Sequence, residues 1–179
     1  MVPDIEIRQL SVWFDTAQGP VKAVDGLSTT FRAGQISGVI GESGSGKSVM
    51  GMSLLRLLPN TARVTGEYWF GGQELYSMPL RELRKLRGAA IGLIPQNPNA
   101  SLDPVMKLKK QLTEAITAHG GKGKKGAEAR AAELLRQFGF EEPERILGQY
   151  AFQMSGGMNQ RLVSALGLAC QPGWVIADE

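Results

Sequence analysis

Apolar positions alternate at the start of the chain and then switch to a helical period. Ile5 and Ile7, then Leu10, Val12 and Phe14, alternate with a one-residue slip, which predicts a strand with a bulge. Residues 15–20 read as a turn, and Leu27, Thr29 and Phe31 alternate again before Gly34. Ile36, Val39 and Ile40 form a short apolar run ending in a glycine-rich loop, the pattern of a buried strand. From Ser48 the period changes: Met50, Leu54, Leu57 and Leu58 share a helical face, and Pro59 stops it. Residues 67–70 predict an edge strand between Gly66 and Gly71. Leu80, Leu83 and Leu86 follow at helical spacing, and residues 91–94 predict another buried strand.

The middle of the chain is helical throughout. Leu108, Leu112, Ala115 and Ile116 mark one amphipathic helix, and Leu134, Leu135 and Phe138 mark a second, with a Gly/Lys loop at 120–126 between them. Leu162, Ala165, Leu166 and Ala169 predict one more helix, and residues 174–177 a final strand. Strands that alternate with helices imply an α/β fold with a mainly parallel sheet. The N-terminal alternation adds an antiparallel β part, and the middle reads as an inserted helical lobe.

Composition narrows the function. Of 179 residues, 42% are hydrophobic and 21% charged, ordinary for a globular protein. The net charge is only +3, and much of the excess sits in Lys122-Gly123-Lys124-Lys125, which reads as a solvated loop; nucleic acid is not the expected partner. One cysteine, Cys170, rules out an intrachain disulfide and is expected to pack as a small apolar residue. With His119 as the sole histidine, counting excludes a metal site of the usual His/Cys kind. No signal-peptide pattern or apolar run of membrane-spanning length is seen, so any work at a membrane is expected to need another subunit to span it.

Three segments carry chemistry. Gly41-Glu42-Ser43-Gly44-Ser45-Gly46-Lys47-Ser48 matches the P-loop pattern in full, between a predicted strand and a predicted helix that continues with Val49. Its glycines let the backbone curl so that successive N–H groups face phosphate oxygens, and the helix start adds its positive end. Lys47 reaches the β- and γ-phosphates, and the Ser48 hydroxyl is a ligand for Mg²⁺. At the far end, the strand Trp174-Val175-Ile176-Ala177 runs into Asp178 and Glu179, two carboxylates at the strand's C-terminal edge, where ligands sit in such sheets. Asp178 is expected to hold the Mg²⁺ shell and Glu179 to polarise the attacking water. Thirdly, Ser155-Gly156-Gly157, inside Met154 to Arg161, precedes a helix, where it reads alone as an N-capped start with Ser155 as the cap, or as a second anion site at a helix N-terminus.

The Met154–Arg161 segment resembles the signature sequence of ATP-binding-cassette (ABC) proteins. Together with the P-loop, the terminal strand and Ile94-Pro95-Gln96-Asn97-Pro98, which is similar to that family's Q-loop, it spans essentially the whole chain in the family's order. The resemblance implies a P-loop NTPase core in residues 1–101, a helical lobe in 102–157 that ends in the signature, and a return to the core in 158–179. It implies that Gln96 contacts Mg²⁺ or the lytic water and couples the site to the helical lobe. It also implies that Phe14, with Trp13 as the rival, stacks on adenine. A head-to-tail dimer is implied too, homo- or heteromeric, in which Ser155, Gly156 and Gly157 of each subunit complete the ATP site of the other. Residues 97–104, Asn-Pro-Asn-Ala-Ser-Leu-Asp-Pro, and the Met158–Arg161 ending are similar to the ATPase subunits of peptide and nickel importers. Met154 stands where leucine is usual in the signature, and Met158 where glutamine is common. The expected setting is therefore peripheral, at the cytoplasmic face of a bacterial inner membrane, against permease subunits that an extracytoplasmic solute-binding protein feeds. The chain stops before the family's D-loop and switch histidine, which reads as a truncation after the terminal strand. A nucleotide-binding module without turnover and a non-transport ABC ATPase stand as alternatives.

Overall fold

A computed structural model describes residues 1–118 and 123–178. His119, Lys122 and Glu179, all singled out above, lie outside the described residues. The chain forms two compact units, Met1–Arg84 and Lys85–Glu179.

The first unit is built on an antiparallel sheet of β1 (Ile5–Thr16), β2 (Gly19–Phe31), β3 (Ala62–Phe70) and β4 (Gln73–Glu74), in the order β2-β1-β3-β4. The slip in the apolar alternation is real. Register shifts fall between Ile7 and Leu10 against β2 and between Arg8 and Ser11 against β3, and Gln9 takes a positive φ of 48°. The bulge lets Ile5, Ile7, Leu10 and Val12 all be buried although their spacing is uneven. Gly66 makes the bulge possible: at φ +95° it lies so close that an added Cβ would be 2.5 Å from the Gln9 carbonyl oxygen and 2.7 Å from that of Arg8. β3 begins five residues earlier than the apolar run 67–70 implied, and β4, only two residues long, lies outside it.

Helix α1 (Lys47–Leu54) is shorter than the Met50–Leu58 periodicity predicts. Arg56 turns into the left-handed region at φ 51°; its N–H donates to the Ser53 carbonyl at 2.8 Å, and Leu57 N–H donates to that of Met52 at 3.0 Å. This is a Schellman ending, which satisfies the last carbonyls and takes Leu57 and Leu58 off the helix. Arg56 can hold this conformation because its guanidinium is tied down, donating to the Met78 carbonyl at 2.8 Å and lying over the Tyr76 ring. Two phenols clamp the helix itself. Tyr68 OH donates to the Met50 carbonyl at 3.0 Å and meets the Ser53 hydroxyl; Tyr76 OH donates to the Ser53 carbonyl at 2.9 Å. Burial pushes both phenols up, Tyr76 to about 12, so both remain protonated donors even well above neutral pH.

One expected strand is absent. Residues 35–42, with the run Ile36, Val39 and Ile40, form neither helix nor strand, and Ile36 and Ile40 are fully exposed. Local pattern signals an extended apolar segment, but a strand exists only through a ladder partner, and no described strand pairs with this one.

In the second unit, β5 (Ile91–Ile94) and β6 (Trp174–Ala177) pair in parallel, Ile91 opposite Trp174 and Ile94 opposite Ala177. Helix α2 (Leu80–Leu86) leads into β5. After β5 come α3 (Pro98–Ser101), α4 (Leu108–Thr117), α5 (Lys124–Gln137), α6 (Pro143–Leu147), a 3₁₀ turn at Ala151–Gln153 and α7 (Gly156–Gly167). Helix α5 takes up Lys124 to Gly126 of the predicted loop. A single core joins these helices: Leu108, Leu112 and Ile116 of α4 and Leu134 and Leu135 of α5 pack with Leu162, Val163 and Ala165 of α7. Cys170 is half-buried, its thiol donating to the Ala115 carbonyl at 3.2 Å. Helix α7 meets β5 backbone to backbone, since an added Cβ at Gly92 would fall 2.3 Å from the Gly167 carbonyl oxygen.

Gly66→Ala should cost about 2 kcal/mol or more, from a strained φ and a collision with two carbonyls. Gly72→Ala, at φ +77° but with open space around it, should cost about 1 kcal/mol. Thermal denaturation of the two variants checks this; equal losses would remove the bulge argument.

Candidate functional site

The P-loop joins the irregular segment 35–42 to α1. No side chain caps α1; its N-cap is Gly46 at φ +89°, and its first turn carries no acidic residue. The first turn of α1 thus carries no carboxylate of its own to offset the helix's positive end. Gly46 has no room for a side chain, because a Cβ would lie 2.3 Å from the Ala23 carbonyl oxygen of β2. Contact with β2 thus seats the turn, and Gly44 adds a second left-handed residue at φ +80°. Lys47 Nζ arches back over the loop, donating to the Gly41 and Glu42 carbonyls at 2.8 Å each and lying 3.4 Å from Ser45 Oγ. Gly41 to Ser45 are exposed, while Gly46, Lys47, Ser48 and Val49 are half-buried. A curled backbone, a helix start with no side-chain cap and a cation over the loop fit a phosphate chain.

The second unit brings Gln96 and Asp178 to one edge. Parallel pairing ends at Ile94 and Ala177, and Asp178 N–H donates to the Ile94 carbonyl at 2.9 Å. Gln96, two residues beyond β5, and Asp178, one beyond β6, both leave the sheet at its C-terminal side, where such sheets bind ligands. An amide oxygen and a carboxylate are hard-oxygen donors of the kind Mg²⁺ takes.

Ser155 caps α7, its hydroxyl accepting from Met158 N–H at 3.3 Å. Ser155, Gly156 and Gly157 are exposed, and a Cβ on either glycine would meet nothing within 4 Å. This face of α7 is open for a partner to approach. Phe14 and Trp13 are both half-buried on β1 and, by strand alternation, point to opposite faces. The Trp13 ring is covered by the Lys22 ammonium at 5.4 Å, which favours Phe14 as the stacking surface.

Sequence reasoning passed over a polar connection in this unit. Asn97 caps α3, accepting from Asn99 N–H at 3.0 Å and Ala100 N–H at 3.3 Å. Asn followed by Pro is an N-cap and first-turn signal that could have announced this helix. Asn159 of α7, 5% exposed, donates from Nδ2 to Asn99 Oδ1 at 2.9 Å and to the Ala151 carbonyl at 3.2 Å.

Residues 24–179 match the ABC transporter family profile, and the chain belongs to that family. It is 40% identical, over 100% of its own length and 55% of the other's, to the oligopeptide transport ATP-binding protein OppD of Haemophilus influenzae. It is also 40% identical to the dipeptide transport ATP-binding protein DppD of Escherichia coli, over 98% of this chain and 54% of that one. The chain therefore spans about half the length of the curated relatives it matches. Among solved structures, the ATP-binding cassette MJ0796, a dimer bound to ADP and Pi, superposes with a TM-score of 0.83 at 24% identity, covering 97% of this chain and 72% of that one. CbiO1 from Clostridium perfringens gives a TM-score of 0.72 at 20% identity, with coverage of 98% and 64%. These two likenesses establish the α/β cassette fold.

Lys47→Ala should weaken binding of a nucleoside triphosphate by about a hundredfold or more, because Lys47 is the sole cation in the 41–48 loop available for a charge-assisted contact to a phosphate. Calorimetric titration checks this; an affinity close to that of the parent would remove the loop from the binding site.

Proposed function

We propose that the chain is the ATP-binding and ATP-hydrolysing part of a bacterial ABC importer for peptides, nickel or a similar solute. The observation that carries this reading is the uncapped, acid-free start of α1 beneath the Lys47 ammonium, a cradle with no evident use except to hold phosphates. The OppD and DppD relatives, named for oligopeptide and dipeptide transport, support peptides as the solute class.

In this reading the backbone from Gly41 to Val49 and Lys47 bind the phosphates, and Phe14 stacks on the base. Ser48, Gln96 and Asp178 would hold Mg²⁺, which when bound neutralises charge on the phosphate oxygens. Glu179 accepts a proton from the attacking water, and Gln96 orients that water. Ser155, Gly156 and Gly157 of each subunit close on the nucleotide of the other in a head-to-tail dimer, and their exposure at the start of α7 supports this. Dimer closure on ATP and reopening after hydrolysis would drive permease subunits fed by a solute-binding protein. The helical lobe, residues 102–157, would face those subunits. No helix among the described residues is long and apolar enough to cross a membrane, which fits a peripheral position on the cytoplasmic face.

Two variants test this in a form of the protein extended to the length of its relatives. Glu179→Gln keeps the shape but cannot accept the proton, so turnover should fall by about a hundredfold or more while ATP binds and a dimer accumulates. Near-normal turnover would remove Glu179 from the catalytic role. Gly157→Asp in that background places a carboxylate against the partner's phosphates. ATP binding by the monomer should survive, and the ATP-dependent dimer should be lost in size-exclusion chromatography. A surviving dimer peak would show that the signature does not act across the interface.

A further inference from the structure

The Asn159 amide has only one sensible orientation. The Ala151 carbonyl can only accept, so the atom facing it must be Nδ2, and the second Nδ2 proton then reaches Asn99 Oδ1 at 2.9 Å. That choice leaves Asn159 Oδ1 buried without a partner among the described residues. The neighbours on α7 that face the same core are Leu162, Val163 and Ala165, and an apolar residue at 159 would avoid an unmet acceptor altogether. A buried amide that is only part-satisfied is a poor device for stability and a good one for fixing register. Its two ends show what is registered. Asn159 N–H donates to the Ser155 carbonyl at 2.9 Å, closing the first turn of α7, and Asn99 lies in α3, three residues after Gln96.

We propose that Asn159 and Asn99 are a positioning pair that holds the signature segment Ser155–Gly157 in fixed relation to the Gln96 loop. This rests on the dimeric ATPase reading above. Since Gln96 attends the nucleotide of its own subunit and Ser155 that of the partner, the pair couples the two ATP sites of the dimer through one hydrogen bond. Neither residue touches ATP; each acts through the segment it holds.

Asn99 is exposed, so its variants are expected to fold. Asn99→Ala removes the acceptor, whereas Asn99→Asp keeps an acceptor oxygen in the same place. In hydrogen exchange on the ligand-free chain, the amides of Met158 and Asn159 should exchange about tenfold faster in Asn99→Ala and return to within about twofold of the parent in Asn99→Asp. In the extended protein, Asn99→Ala should lower kcat about tenfold with KM for ATP within about twofold, and Asn99→Asp should restore kcat. Unchanged exchange in Asn99→Ala overturns the pair, as does faster exchange with a normal kcat. So does an Asn99→Asp variant as impaired as Asn99→Ala. If the parent itself neither binds nor hydrolyses ATP, the ATPase reading fails, and the exchange comparison still decides whether the pair holds the segment.

Discussion

A helix of eight residues is too short to stand in water by itself, and the candidate phosphate site is the start of such a helix. Everything around α1 in its unit works against that deficit. At its C-terminal end, Arg56 closes a Schellman turn and is itself held by Met78 and Tyr76. Along its length, the phenols of Tyr68 and Tyr76 bind the carbonyls of Met50 and Ser53. At its N-terminal end, Gly46 rests on the Ala23 carbonyl of the sheet. The N-terminus stays without a side-chain cap, and the stability that a cap would have given comes from the other end and from the sheet.

The curl and helix start of the candidate phosphate loop were legible because their pattern is local. Eight consecutive residues specify curl, cation and helix start together, so the pattern contains its own geometry. The helices around Leu112, Leu134 and Leu162 were legible because each buries one stripe, a period that any window reveals. The bulge in β1 showed as a skipped beat between Ile7 and Leu10, although its cause, Gly66, is on another strand.

Longer-range features were not legible. Residues 36–40 carry the composition of a strand, but pairing depends on a neighbour that composition does not name. The end of α1 was misjudged because Leu57 and Leu58 continue the apolar period, while the turn at Arg56 depends on contacts with Tyr76 and Met78. The bond between Asn99 and Asn159 joins residues sixty positions apart, each of which looks alone like an ordinary polar residue near a helix start.

The backbone contact between Gly167 and Gly92 has a mechanical meaning. With no side chains between them, α7 and β5 cannot move closer at that point, which makes it the natural fulcrum for any tilt of the helix. From this fulcrum to Ser155 the helix is about 18 Å long at 1.5 Å per residue, so a tilt of about 10° would move that end by about 3 Å. That is the span of a hydrogen bond. The Asn159–Asn99 bond lies eight residues along that arm and resists such a swing, and an added methyl group at either glycine would move the fulcrum itself.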